Sequence, residues 1–237
     1  MVRCLSEVHL RADCNKFLRC RRLPVKSDPT EHMSLTVNPR IPLSLLEAIR
    51  RIDTPRDQID AEYVQELRNK RLGLSDTVYA QIRRYSDALK RGQRIPFGEA
   101  EGLGTLIGRR PDSDELFRSA GLILANDVYH SISATKRGTI RLMPAFISRP
   151  MALGELTAVV TKYFGGTLER NGSFLTLKVK DSVTVNGSPK SAGCIFYEEA
   201  LRELIRLLVN SSGQVDHVHC TQRNEGACEW RADWGTT

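Results

Sequence analysis

Two hairpin signals flank an amphipathic helix in the C-terminal third of this chain, and together they leave few folds open. The stretch "GTLERNGSFLTLKV" centres on Asn171-Gly172, a pair suited to the positive φ angles of a primed two-residue turn. The stretches "QVDHVHCTQ" and "ACEWRADW" read as the arms of a second hairpin around Asn224-Glu225-Gly226. Between them, "CIFYEEALRELIRLLV" places Ile195, Ala200, Leu201, Leu204, Ile205 and Leu208 at helical spacing. A further helix, "MALGELTAVVTKYF" over residues 151–164, precedes the first hairpin and stops at Gly165-Gly166.

Upstream, residues 42–132 read as helical. "PLSLLEAIRRI" puts Leu45, Leu46, Ile49 and Ile52 on one face, with Pro42 in a first turn. Thr54-Pro55 starts a helix expected to reach Leu72 and close at Gly73. Ser75 caps "DTVYAQIRRYSDALKR", which Gly92 ends, and Ser113 caps "DELFRSAGLILANDVYHSI". The intervening "GQRIPFGEAEGLG" reads as turns. The expected class is therefore α+β: a helical N-terminal part, then a mainly antiparallel sheet packed on helices.

The first 32 residues stand apart. They carry Cys4, Cys14 and Cys20, seven Lys/Arg and four Asp/Glu, without the apolar core of a secretory signal. Met33 opens a second start, so residues 1–32 are expected to be a disordered or mis-annotated leader. Residues 33–101 are then a helical segment and 102–237 the main domain. Setting the leader aside lowers the net charge from +7 to +4. Nucleic-acid binding would need a basic stripe or a reading motif, and neither occurs. No apolar run approaches the roughly 20 residues of a membrane helix, so a cytoplasmic protein without membrane contact is expected.

The remaining cysteines, Cys194, Cys220 and Cys228, lie close to His217 and His219 in pattern. Cys220 and Cys228 share a face of the second hairpin as diagonal neighbours, and Cys194 opens a helix whose dipole favours a thiolate. Both histidines differ in parity from Cys220, so an ideal strand turns them to the opposite face. A bulge or bend is needed for either to join the sulfurs. Three arrangements stay open on these residues: a metal site, buried thiols beside surface histidines, or a disulfide.

The run from "MALGELTAVVTKYFGG" to "GACEWRADW" resembles the 4-vinyl reductase domain family, over roughly residues 102–234. That family shares a ligand-binding fold of the NO-signalling and Golgi-transport type. The same fold serves the sensor regions of phenol-responsive transcriptional activators and TRAPP vesicle-tethering subunits. Its pattern falls here on Gly165, Cys194, His217, Cys220, Gly226, Cys228 and Trp230, with His217 where relatives carry an acidic residue. The resemblance implies a structural zinc held by Cys194, His217, Cys220 and Cys228; His219, two residues on, stays the substitute candidate. It also implies a pocket for a small apolar or aromatic ligand. Candidate walls are Phe117, Leu122, Tyr129, Phe146, Tyr163, Phe164, Phe174, Phe196 and Tyr197, with Tyr129 and His130 as polar tips.

Three functions follow as expectations. The first is a sensor that reports through a partner protein or as a homodimer. The second is an enzyme of tetrapyrrole metabolism, as part of the family is named for vinyl reduction. The third is a protein–protein adaptor. No P-loop occurs, and "GLGTLIG" lacks dinucleotide-binding spacing.

Overall fold

The computed structural model describes residues 35–54, 72–185, 192–209 and 213–234. The leader with its three cysteines and the helix expected after Thr54 lie outside the described residues. The elements run β1 (Thr36–Val37), α1 (Arg40–Asp53), α2 (Asp76–Lys90), β2 (Ile95–Pro96), α3 (Phe97–Gly108), α4 (Ser113–Ser131), α5 (Ala134–Leu142) and α6 (Ala145–Val159). They continue β3 (Gly166–Asn171), β4 (Phe174–Val179), α7 (Cys194–Val209), β5 (Val215–His219) and β6 (Cys228–Asp233). This is an α+β fold, and β3-β4-β6-β5 form one antiparallel sheet.

Helix starts follow local chemistry. Asn38 Oδ1 accepts from the Arg40 amide at 3.0 Å, and Ser75 Oγ accepts from Val78 at 3.4 Å. Gly92 ends the turn after α2 at φ 66°. α1 buries Ile41, Leu45, Leu46 and Ile49 against α4, and α4 packs along α7. One continuous core joins Ile41, Phe117, Leu156, Leu177, Phe196 and Trp230. The boundary expected after residue 101 therefore falls inside α3, and the helices before it share the core of the sheet.

Several elements differ from expectation. Of the segment read as turns, the part from Phe97 onward belongs to the helix α3, and residues 134–142 form α5, which the sequence reading passes over. α4 begins one residue after Asp112, so Ser113 is its first residue rather than its cap. α6 starts at Ala145 and carries Pro150 inside it. Pro150 deprives the carbonyl of Phe146 of a donor, but Phe146 is solvent-exposed, so water can take that place. The helix then widens into a π turn over Val160–Phe164 before Gly165 at φ 65°. In the first hairpin Asn171 still pairs with Phe174; only Gly172, at φ 62°, takes positive φ. The turn is Gly172-Ser173, with glycine in the first central place.

The sheet is one-sided. Leu168, Leu177 and Trp230 stand in register on the inner face, as do Gly166, Val179 and Cys228. The outer face carries Glu169, Lys178 and Glu229, with Lys178 3.4 Å from Glu229. At the C-terminal end of α1, buried Asp53 accepts from both terminal guanidinium nitrogens of Arg110, at 2.9 and 2.8 Å, and from the Gly73 amide at 2.8 Å. That network closes the loop after α3 onto the end of α1. Among the described residues no helix is long and apolar enough to cross a membrane.

Candidate metal centre

Strand parity is broken where the site needs it. On β6, Cys228 and Trp230 both face inward, and His217 lies directly opposite Trp230. The next paired residue on β5 is His219, opposite Glu229, so Val218 is an extra residue in the ladder. Such a bulge inverts the facing of everything after it. His217 before the bulge and Cys220 after it therefore share the inner face. His219 is turned out, half-exposed, with Nδ1 3.4 Å from Glu229, which removes it as the substitute ligand.

The loop beyond β5 holds Cys220 by its backbone. The amides of Arg223 and Glu225 both donate to the Cys220 carbonyl, at 3.0 and 3.3 Å. The Cys220 amide donates to the Glu225 carboxylate at 2.9 Å, and Glu225 also pairs with Arg223 at 3.0 Å. With Asn224 at φ 59° and Gly226 at φ 94°, the chain turns back to deliver Cys228 to β6. The hairpin expected around three residues is thus a longer loop containing a short helical turn, Thr221–Arg223.

Cys194 comes from elsewhere. It is the first residue of α7, buried, and the preceding Gly193 carbonyl accepts from Thr184 Oγ1 at 2.7 Å. Gln222 Nε2 donates to the Val185 carbonyl, so the hairpin loop and the start of α7 are tied to the same connecting segment.

One donor atom from each of Cys194, His217, Cys220 and Cys228 falls within 4.8 Å of the other three. The sulfurs of Cys194 and Cys220 are 3.8 Å apart, far beyond the roughly 2.05 Å of a disulfide. These four residues lie close enough to hold a metal ion. The His217 ring stacks on Trp230, with centroids 5.1 Å apart and planes at 24°, which fixes its orientation. Among the described residues its Nε2 is buried without a hydrogen-bond partner.

The electrostatics of the sulfurs are coupled. A hydrogen bond from Cys194 pulls the Cys228 thiol down to about 4 against the effect of burial, helped by His217 and by the side chain and amide of Thr221. Cys194 is pushed the other way, first by donating to Cys228, then by burial and by its neighbouring sulfurs. The two sulfurs are thus driven in opposite directions, Cys228 toward the thiolate and Cys194 toward the thiol. Thr221 is the outer support: its Oγ1 and amide lie 3.3 and 3.4 Å from the Cys228 sulfur. Outer partners of this kind typically contribute 10–100-fold to metal affinity. Thr221→Val keeps the amide contact, so a loss of about tenfold is expected, measured by competition with a chromophoric chelator.

The expected pocket residues do not share this convergence. Phe117 and Phe196 are fully buried in the core, and Tyr129 and Tyr163 nearly so. Phe146 and Phe174 are surface side chains, 71% and 42% exposed, which does not suit pocket walls. Tyr163 lines a cleft together with Ser131, Lys136, Glu155 and Lys162. His130 faces Arg137 at 3.2 Å. Thr221, Gln222 and Glu225 were not singled out by sequence; only Thr221, next to Cys220, offers a hydroxyl that hints at a donor for a thiolate.

Comparison with protein-family models, curated proteins and solved structures finds no match to this chain.

Proposed function

We propose that this chain is a non-catalytic, ligand-responsive domain whose terminal hairpin is fastened to α7 by a structural zinc ion. The carrying observation is the convergence of three sulfurs and one imidazole from α7, β5, its loop and β6. Three thiolates with one nitrogen is a soft donor set of the closed structural zinc type. Zinc–sulfur bonds of about 2.3 Å in a tetrahedron imply sulfur–sulfur edges of about 3.8 Å. The Cys194–Cys220 separation of 3.8 Å supports that fit. Four protein donors fill the coordination shell and make the ion a cross-link.

The sensing half of the proposal draws on the resemblance to the 4-vinyl reductase domain family. It is supported by a groove of about 480 Å³ at the C-terminal end of α7, lined by Ile140, Met143, Leu207, Leu208 and Val209 with Arg141 and Arg206. Arg206 is paired with Glu203 at 2.6 and 2.7 Å, so the lining suits a small ligand whose acidic group would meet Arg141. Zinc then holds one end of α7 while the ligand meets the other, and occupancy is passed to a partner protein or a second copy.

The test has two arms on the purified full chain. Elemental analysis is expected to give close to one zinc per chain; a metal-free preparation from zinc-supplemented cells would overturn the staple. Thermal-shift screening against phenols, porphyrins and fatty acids is expected to give upward shifts without consumption of a reductant. No shift with any of them, or turnover of a vinyl substrate, would overturn the sensor reading.

A further inference from the structure

α5 and α6 meet in a corner that presents apolar side chains to solvent. Leu142 is 85% exposed and Phe146 71%, with Met143, Ile147 and Met151 also exposed. These five belong to one ten-residue stretch, so they form a patch and are not the scattered apolar side chains common on any surface. Leu142 and Phe146 are the most exposed of the five, while Met143 beside them lines the groove at the end of α7.

The same stretch is cationic. No Asp or Glu occurs from residue 128 to residue 154, while Lys136, Arg137, Arg141 and Arg149 do. Lys136 pairs with Glu155. Arg137 and Arg141 lie over the Tyr129 ring, 4.8 and 5.7 Å from its centroid, and among the described residues neither pairs with a carboxylate. Arg141 also lines one cleft with Met143, Ala145 and Ser148, which sets its guanidinium group beside the corner.

From this juxtaposition we infer that the α5–α6 corner docks on an anionic lipid surface, its apolar tip entering the acyl boundary and its cations meeting lipid phosphates. A fluid interface accepts a protruding apolar tip without a matching cavity. A second copy of the chain is the poorer occupant. A twofold contact through this corner would set one cationic stretch against another, with no carboxylate inside either to pair with it. The expectation of no membrane contact rested on the lack of a spanning segment, which a surface-docked corner does not require. The corner also stands apart from the metal centre. Cys194 begins α7 and the corner lies beside its other end, about 24 Å away along a helix of 16 residues. The docking therefore does not rest on the zinc.

Vesicle co-sedimentation of the full chain tests it, with phosphatidylcholine alone and with phosphatidylcholine mixed with phosphatidylserine. Binding is expected only to the mixed vesicles and is expected to weaken as salt rises. The double change Leu142→Ser with Phe146→Ser should weaken it at least tenfold with the thermal midpoint preserved. Arg141→Gln should weaken it about fivefold, the effect of one cation near such a surface. Equal binding to both vesicle types, no binding, or wild-type binding by the double variant would each overturn the inference. So would a dimer in sedimentation that the double change converts to monomer while vesicle binding stays absent.

Discussion

With the proposed zinc staple in place, stripping the ion with a strong chelator is expected to lower the thermal midpoint by about 10–20 °C or more. Structural zinc contributes an apparent 10–16 kcal/mol in small finger peptides. Even a net 5 kcal/mol, retained after the core has absorbed part of the loss, corresponds to about that shift in a domain of this size. Loss should be local first, because α7, β5, the loop after it and β6 supply all four donors. Cys228→Ser should reproduce most of the effect, and chelator should then do little more. If the cysteines were only buried thiols, chelator would do nothing and Cys228→Ser would cost about 1–2 kcal/mol.

The pH dependence follows with a definite sign. The folded-state value of Cys228 lies below its ordinary thiol value, so its contribution is present above that ordinary value and is lost as pH falls through about 4. Cys194 is shifted upward, so its contribution is present at lower pH and is lost on the alkaline side. Metal binding overrides the second effect, since each ligand sulfur must give up its proton to the ion. Zinc is therefore expected to be retained at neutral pH and released on acidification, with unfolding following release.

Much of this architecture is legible in single residues. Ser75 and Gly92 mark both ends of α2, and Gly172 marks the first hairpin even though its partner in the turn is Ser173 and not Asn171. The helical period of residues 194–209 gives α7 its bounds. What sequence hides has physical reasons. α3 contains four glycines, which lower helix propensity, but Gly104 is there because the chain at Val183 passes too close for a side chain: a Cβ would sit 2.5 Å from the Val183 carbonyl. The bulge at Val218 leaves no mark, since valine fits a regular strand equally well. Parity alone therefore sends His217 to the wrong face, and its place beside the sulfurs is reached only through the family pattern. Membership of a pocket is hidden for a related reason: an apolar side chain reads alike whether it meets a ligand, the core or solvent, as Phe196 and Phe146 show.

Gly193→Ala is expected to be the most damaging single methyl group that can be added near the site. A Cβ at this position would lie 1.9 Å from the Thr184 carbonyl oxygen and 2.4 Å from its carbon. Neither is the far end of a flexible side chain. The carbonyl belongs to a buried segment whose Thr184 hydroxyl is bonded to the Gly193 carbonyl, so the two strands of chain are held together from both sides. Relief requires α7 to back away from residues 183–185, and Cys194 is its first residue. A displacement of about 1 Å spoils a coordination shell whose bond lengths tolerate about 0.2 Å. The change should cost about 3 kcal/mol or more in stability and weaken zinc binding at least tenfold. Gly154→Ala is the matched control: it lies in α6 with nothing within 4 Å of the new methyl, and should leave zinc affinity unchanged while stabilising the helix by about 0.5–1 kcal/mol. Equal zinc affinities for the two variants, by chelator competition, would mean that the start of α7 does not position the sulfur of Cys194.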